Sequence, residues 1–180
     1  MIVRLATARD APPWLAARER RHCTVVHSVP IGTAPEVAAI GLLREATSLG
    51  ATTIVCERSV DDGAMPLALA IARRSIIPVL LLPSAATLPS GVIAAVADDG
   101  WREVVLQGAE AVAKLLGGGV EPFTVTSGEP LVPRLVAVGA GAAPRLLMIG
   151  MHRGGSPGER PGRDIAAAVC REARWAMGVV

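Results

Sequence analysis

The sequence has very few aromatic residues. Among 180 residues there are three tryptophans, one phenylalanine and no tyrosine, so aromatics make up only 2% of the chain. The hydrophobic fraction is nevertheless 51%. This is enough apolar surface to bury against the entropy cost of folding, which excludes a disordered chain. The core must be built from Val, Ile, Leu and Ala, which suit parallel strands covered by Ala-rich helices on both faces.

Basic residues are too few and too scattered for a nucleic-acid-binding surface. The formal net charge is +2, and Lys114 is the only lysine. Arginines cluster at 18–21 and again at 153–163. A nucleic-acid site needs a denser basic face interleaved with stacking aromatics. The composition therefore predicts no nucleic-acid partner.

Cysteines are also scarce. The three are Cys23, Cys56 and Cys170, widely spaced and without a CxxC pair. An odd number at such spacing argues against a disulfide framework or a zinc site and fits a reducing compartment. Near the start, Arg4 and Arg9 interrupt the apolar run that a signal peptide needs. We therefore expect a cytoplasmic protein.

An uncharged stretch at 75–97 is long enough to suggest a transmembrane helix. Pro78, Pro83 and Pro89 break it into two short apolar runs and a linker. Two buried strands joined by a linker explain this pattern better, so we expect no membrane insertion.

Strand-like and helix-like segments alternate along the whole chain. Strands are predicted at 1–7, 23–29, 51–56, 76–82, 91–97, 120–126, 145–150 and 175–180, and helices at 11–21, 33–49, 64–74, 100–116, 131–140 and 164–174. Each half thus has the order β-α-β-α-β-α-β, which implies parallel pairing with right-handed crossovers. The predicted fold class is α/β, with two tandem doubly wound parallel-sheet units at 1–84 and 85–180.

The helix at 33–49 has a clear beginning in the sequence. Thr33 is its predicted N-cap, and Pro35 stands in the first turn, where proline is tolerated. Val37, Ile40 and Leu43 then recur at helical spacing.

The second half resembles the universal stress protein family. Ile93 to Gly100 (IAAVADDG) is similar to the family's first strand, with its acidic residue and glycine before a long helix. Leu146 to Gly155 (LLMIGMHRGG) is similar to its strand-and-glycine segment. The helix at 100–116, packed through Ala109, Ala113 and Leu116, and the closing segment at 165–180 also match. The first half resembles the family more weakly, through segments 49–55 and 77–82. This resemblance implies an adenine nucleotide alpha hydrolase-like fold.

The resemblance also implies a nucleotide-binding loop in the second half. The family's signature begins with two glycines that are separated by two residues. After nine further residues comes a third glycine, which is followed directly by Ser or Thr. Gly150 matches, but Arg153 takes the second glycine position and Arg163-Asp164 the closing pair. Asp164 would place a carboxylate near a bound phosphate, whereas the nearby arginines could bind it. The equivalent loop of the first half is absent, so we expect no nucleotide there.

The candidate ligands of ATP or another adenine nucleotide lie at predicted strand ends and in this loop. They are Asp98, Asp99, Thr126, Gly150, His152, Arg153, Gly154, Gly155, Arg163 and Asp164. Asp98 and Asp99 have a second interpretation, as residues that cap the following helix. His152 also has two interpretations, as a phosphate contact or as a solvated loop residue. Trp101 is expected either to cover a pocket or to close the interface between the halves. The alternative is that the chain binds no cofactor. We assign no residue to a metal site or to catalysis.

Three hypotheses for function follow. The first is a stress-response or regulatory protein without catalytic turnover, either as a free chain or as the cytosolic domain of a transporter. The second is an enzyme that acts on a nucleotide or phosphate ester through Asp98, Asp99 and the 153–163 loop. The third is an interaction module with vestigial sites and an unknown protein partner. The final strand could pair the two halves as a pseudo-dimer, with a homodimer as the other arrangement.

Overall fold

The computed structural model describes residues 2–5, 24–27, 34–58, 65–83, 89–97, 101–125, 130–141, 145–150, 165–173 and 175–180. These residues contain eight strands and five helices. The strands are β1 Ile2–Leu5, β2 Thr24–His27, β3 Thr53–Arg58, β4 Val79–Pro83, β5 Gly91–Ala97, β6 Gly119–Val125, β7 Leu146–Ile149 and β8 Met177–Val179. The helices are α1 Pro35–Ser48, α2 Met65–Arg74, α3 Arg102–Leu116, α4 Leu131–Gly141 and α5 Ile165–Glu172. No helix is described between β1 and β2 or between β4 and β5. The helix predicted at 11–21 lies outside the described residues.

All eight strands form one sheet, in the order β2-β1-β3-β4-β8-β7-β5-β6. Neighbours are parallel, as predicted, except that β4 and β8 pair antiparallel. The sequence predicted two parallel sheet units, whereas the structure has one continuous mixed sheet. The difference arises at the last strand of each half, because each uses its open edge to pair with the other.

The strand order and the registers of 2–83 recur in 91–179. In the first half Leu5 is aligned with His27 and Cys56. In the second half Ala95 is aligned in the same way with Phe123 and Ile149. The order β2-β1-β3-β4 therefore corresponds strand by strand to β6-β5-β7-β8.

The antiparallel pair between the halves is centred on Leu80 and Gly178. On one side of this central pair Val79 lies opposite Val179, and on the other Leu81 lies opposite Met177. Val79 begins β4 and Met177 begins β8, so Leu80 and Gly178, each the second residue of its strand, occupy corresponding positions. In a symmetric dimer, corresponding positions lie opposite each other at the two-fold axis.

The core lies on both faces of the sheet because side chains alternate along each strand. Ile54 and Cys56 of β3 face the side covered by α1, α2, α4 and α5. Val55, between them, belongs to the cluster on the other side, where α3 packs. The middle strands are buried on both sides, which explains their continuous apolar sequences such as VLLLP in β4.

Helix α1 differs from its prediction in two ways. Its N-cap is Ala34 rather than Thr33, because Pro35 occupies the first helical position and fixes the start one residue later. The buried stripe is formed by Ala39, Leu42 and Ala46. Val37, by contrast, is 64% exposed. The buried stripe packs beside α2, and the small side chains of Ala39 and Ala46 allow the two helices to lie close together.

Candidate functional site

The carboxyl ends of β5 and β7 form the crevice at which an open sheet of this kind binds ligands. Helix α3 follows β5 and packs on one face of the sheet, whereas α5 follows β7 and packs on the other. The chain thus crosses over in opposite directions from these two neighbouring strands. Ligands of doubly wound sheets bind at such a switch point, beyond the carboxyl ends of the strands.

Gly150 lies at this edge of the sheet. It directly follows β7 and is exposed. A Cβ at this position would lie 3.0 Å from Cγ2 of Val105, in the first turn of α3. On the other side of the strand end, the amide of Val180 donates a hydrogen bond of 3.1 Å to the carbonyl of Ile149. Strand and helix are therefore close together at Gly150, and a side chain there would separate them.

The beginning of α3 corrects one interpretation of the aspartates. The N-cap is Trp101, with φ −93° and ψ −12°, and Arg102 is the first helical residue. Asp98 and Asp99 therefore precede the cap by three and two residues and do not occupy the capping position. Their own geometry lies outside the described residues, so the prediction that they contact a ligand stays open.

Most of the predicted loop also lies outside the described residues. This applies to Thr126, which follows the end of β6 at Val125, and to His152, Arg153, Gly154, Gly155, Arg163 and Asp164. The structure places Gly150 at the rim and brings it into contact with α3. For the other predicted ligands, the sequence prediction stands alone.

The matching position in the first half is Glu57. Cys56 and Ile149 are each the fourth residue of their strand and face the same side of the sheet, so the residue after Cys56 corresponds to Gly150. Strand β3 continues through Glu57 and Arg58, which pair with Leu82 and Pro83 of β4. The first half thus has a strand residue, Glu57, where the second half has an exposed glycine that follows its strand. Spacing along the sequence could not identify this equivalence, because it depends on where each strand begins.

Cys56 is fully buried in β3, and desolvation raises the pKa of its thiol to about 12. The predicted structural role fits this environment, since only the thiolate is reactive. No group of three His, Cys, Asp or Glu residues that could hold a metal ion occurs in the part of the chain that the structure describes. No helix in that part is long and apolar enough to cross a membrane.

We expect the stability of the protein to fall as the pH rises from about 9 towards 12. The unfolded thiol of Cys56 loses its proton near its ordinary pKa of 9.0, whereas the folded thiol keeps its proton up to about 12. The unfolded state therefore binds fewer protons in this range and is favoured. Urea unfolding at a series of pH values should show a flatter decline for Cys56→Ala than for the wild type. Parallel declines would contradict the assignment.

Solved structures with this fold include a universal stress protein. The chain is similar to the protein named “Putative Universal Stress Protein” from Pseudomonas aeruginosa UCBPP-PA14, with 12% identity and a TM-score of 0.62 over 99% of this chain and 81% of that one. It is also similar to a functionally unknown protein from Pseudomonas aeruginosa PAO1, with 13% identity and a TM-score of 0.64 over 99% of this chain and 80% of that one. These similarities establish a universal stress protein fold.

The sequence alone gives no further match. No protein-family model matches the chain. No curated protein matches it either. The two structures share 12% and 13% identity with this chain, so they establish its fold alone. Its ligand and its activity have to be argued from its own residues.

Proposed function

We propose that the chain is a stress-response or regulatory protein of the universal stress protein type that binds an adenine nucleotide, such as ATP, in its second half and does not turn it over. The observation that carries this proposal is Gly150, an exposed glycine at the switch point of a universal stress protein fold. Backbone N–H groups can approach a phosphate closely only where no side chain intervenes. Glu57 at the matching position argues against a second nucleotide in the first half.

A second part of the proposal concerns the organisation of the chain. We propose that residues 1–84 and 85–180 are tandem universal stress protein-like units that pair with each other as a pseudo-dimer. The recurring strand order supports this view, as does the antiparallel pairing that places Leu80 opposite its counterpart Gly178. Each unit then covers the sheet edge that the other would otherwise expose.

The test is calorimetric titration of the full chain with ATP, ADP, AMP and cyclic AMP. We expect saturable binding by the wild type and at least tenfold weaker binding by Gly150→Val, because the added side chain would push the strand end away from Val105. The matched control is Gly41→Val on α1, where a Cβ would meet nothing within 4 Å. Thermal unfolding of both variants shows that they are folded.

Two results would contradict the proposal. If the wild type bound none of the four nucleotides, or if Gly150→Val bound them as tightly as Gly41→Val, nucleotide binding at Gly150 would be wrong. Release of phosphate from ATP during the titration would favour an enzyme instead.

A further inference from the structure

Trp101 lies at the rim of the proposed nucleotide site. It is 38% exposed, and it is the only aromatic residue among the large exposed hydrophobic residues of the described part of the chain. Val104, three residues further on, is 37% exposed. Residues three apart are neighbours on a helix surface, so the two side chains form one apolar surface at the beginning of α3.

The direction of α3 fixes where this surface lies. At one end of the helix Val105 faces Gly150, at the carboxyl edge of the sheet. Just beyond the other end, the Cβ position of Gly118 faces Ser90 and Gly91, where β5 begins. The helix therefore runs back along the strands, and its first residues lie at the ligand-facing edge.

Trp101 lies one helical turn before Val105, at the beginning of α3. The amide of Val105 donates a hydrogen bond of 3.0 Å to the carbonyl of Trp101, which places the two residues one turn apart. Residues four apart share a helix face, and side chains of a helix lean towards its N-terminus. Since Cγ2 of Val105 lies beside Gly150, the Cα of Trp101 lies about 6 Å further along the axis of α3, towards the carboxyl edge of the sheet.

We infer that Trp101 is the stacking platform for the purine base of the bound nucleotide and that it makes the site selective for bases over phosphate alone. This inference rests on the proposed nucleotide binding and adds the residue that recognises the base. An exposed indole offers a flat π-face to which a base can stack, and such contacts commonly strengthen binding by about tenfold or more for each base. Val104 extends the apolar surface under the base, and the backbone at Gly150 lies within a nucleotide's reach.

The experiment compares Trp101→Ala and Trp101→Phe with the wild type, using ATP, adenosine and inorganic tripolyphosphate as probes. We expect Trp101→Ala to weaken ATP and adenosine binding about tenfold and to leave tripolyphosphate binding unchanged. Trp101→Phe should keep most of the affinity, because its ring still stacks. The control is Val37→Ala, which removes an exposed apolar side chain from α1 and should change none of the three affinities.

A measurement on the wild type keeps the test independent of how well the variants fold. Iodide quenches exposed indoles, and bound ATP should protect Trp101 from it, whereas tripolyphosphate should not. If ATP binds but Trp101→Ala binds it with wild-type affinity, or if ATP gives no protection, the stacking role is wrong while nucleotide binding stands. If the wild type binds neither ATP nor adenosine, the stacking role and the proposed function are both wrong.

Discussion

Replacing Gly139 by alanine should lower the free energy of unfolding by about 3 kcal/mol, in spite of alanine's higher helix propensity. Gly139 is a buried residue of α4, and a Cβ there would overlap Cε2, Nε1 and Cζ2 of Trp175. These atoms belong to a rigid ring that cannot yield as the end of a flexible side chain can. Urea unfolding should show the loss, and the melting temperature should fall by about 10 °C for a chain of this size.

Two comparisons isolate the collision as the cause. Gly41→Ala on α1 makes the same change in a helix where a Cβ would meet nothing within 4 Å, so it should stabilise the protein by up to about 1 kcal/mol. In a Trp175→Leu background, Gly139→Ala should cost less than about 1 kcal/mol, since the obstructing ring is gone. Equal costs in the wild-type and Trp175→Leu backgrounds would contradict the packing explanation.

Replacing Gly118 by alanine should also destabilise the protein by about 3 kcal/mol or more. A Cβ at Gly118 would lie 2.6 Å from the carbonyl oxygen of Ser90 and 2.8 Å from the Cα of Gly91. Both atoms belong to the backbone at the start of β5, so relief of the contact would disturb the pairing of β5 with β6. Chemical unfolding followed by circular dichroism measures the loss.

The neighbouring Gly119 provides the control for this prediction. It begins β6, and a Cβ there would meet nothing within 4 Å. Gly119→Ala should therefore change the stability by less than about 0.5 kcal/mol. A similar loss in both variants would point to the flexibility of the glycine run 117–119 as the cause, and not to the contact at Gly118.

The alternation of strands and helices was predictable from the sequence because it is written in local periodicity. Strand β5 was predicted to run from Gly91 to Ala97 and is observed there. The packed face of α3, with Ala109, Ala113 and Leu116, was also predicted correctly. Each of these predictions uses residues that are close in the sequence, where spacing alone decides which side chains share a face.

Features that depend on distant residues could not be predicted in the same way. Val37 and Ile40 have the spacing of a buried stripe but are exposed, because α1 turns the face of Ala39, Leu42 and Ala46 towards the core instead. The equivalence of Glu57 and Gly150 depends on where β3 and β7 begin and on which side of the sheet their residues face, which no local pattern contains. At the candidate site, the sequence singled out Gly150 as the residue after a strand, whereas its proximity to Val105 in α3 depends on how the helix packs on the sheet.

Because both halves belong to one chain, the residues at the centre of the β4–β8 pair can differ from each other. Leu80 lies opposite Gly178, and the volume that a side chain on Gly178 would need is taken by the thioether end of Met148, 2.7 Å from its Cβ position. Two identical chains meeting at such an axis would have to place leucine against leucine or glycine against glycine. In one chain the two positions mutate separately, so a change that suits one half need not be tolerated by the other. The same freedom allows one rim to become acidic while its counterpart keeps a glycine.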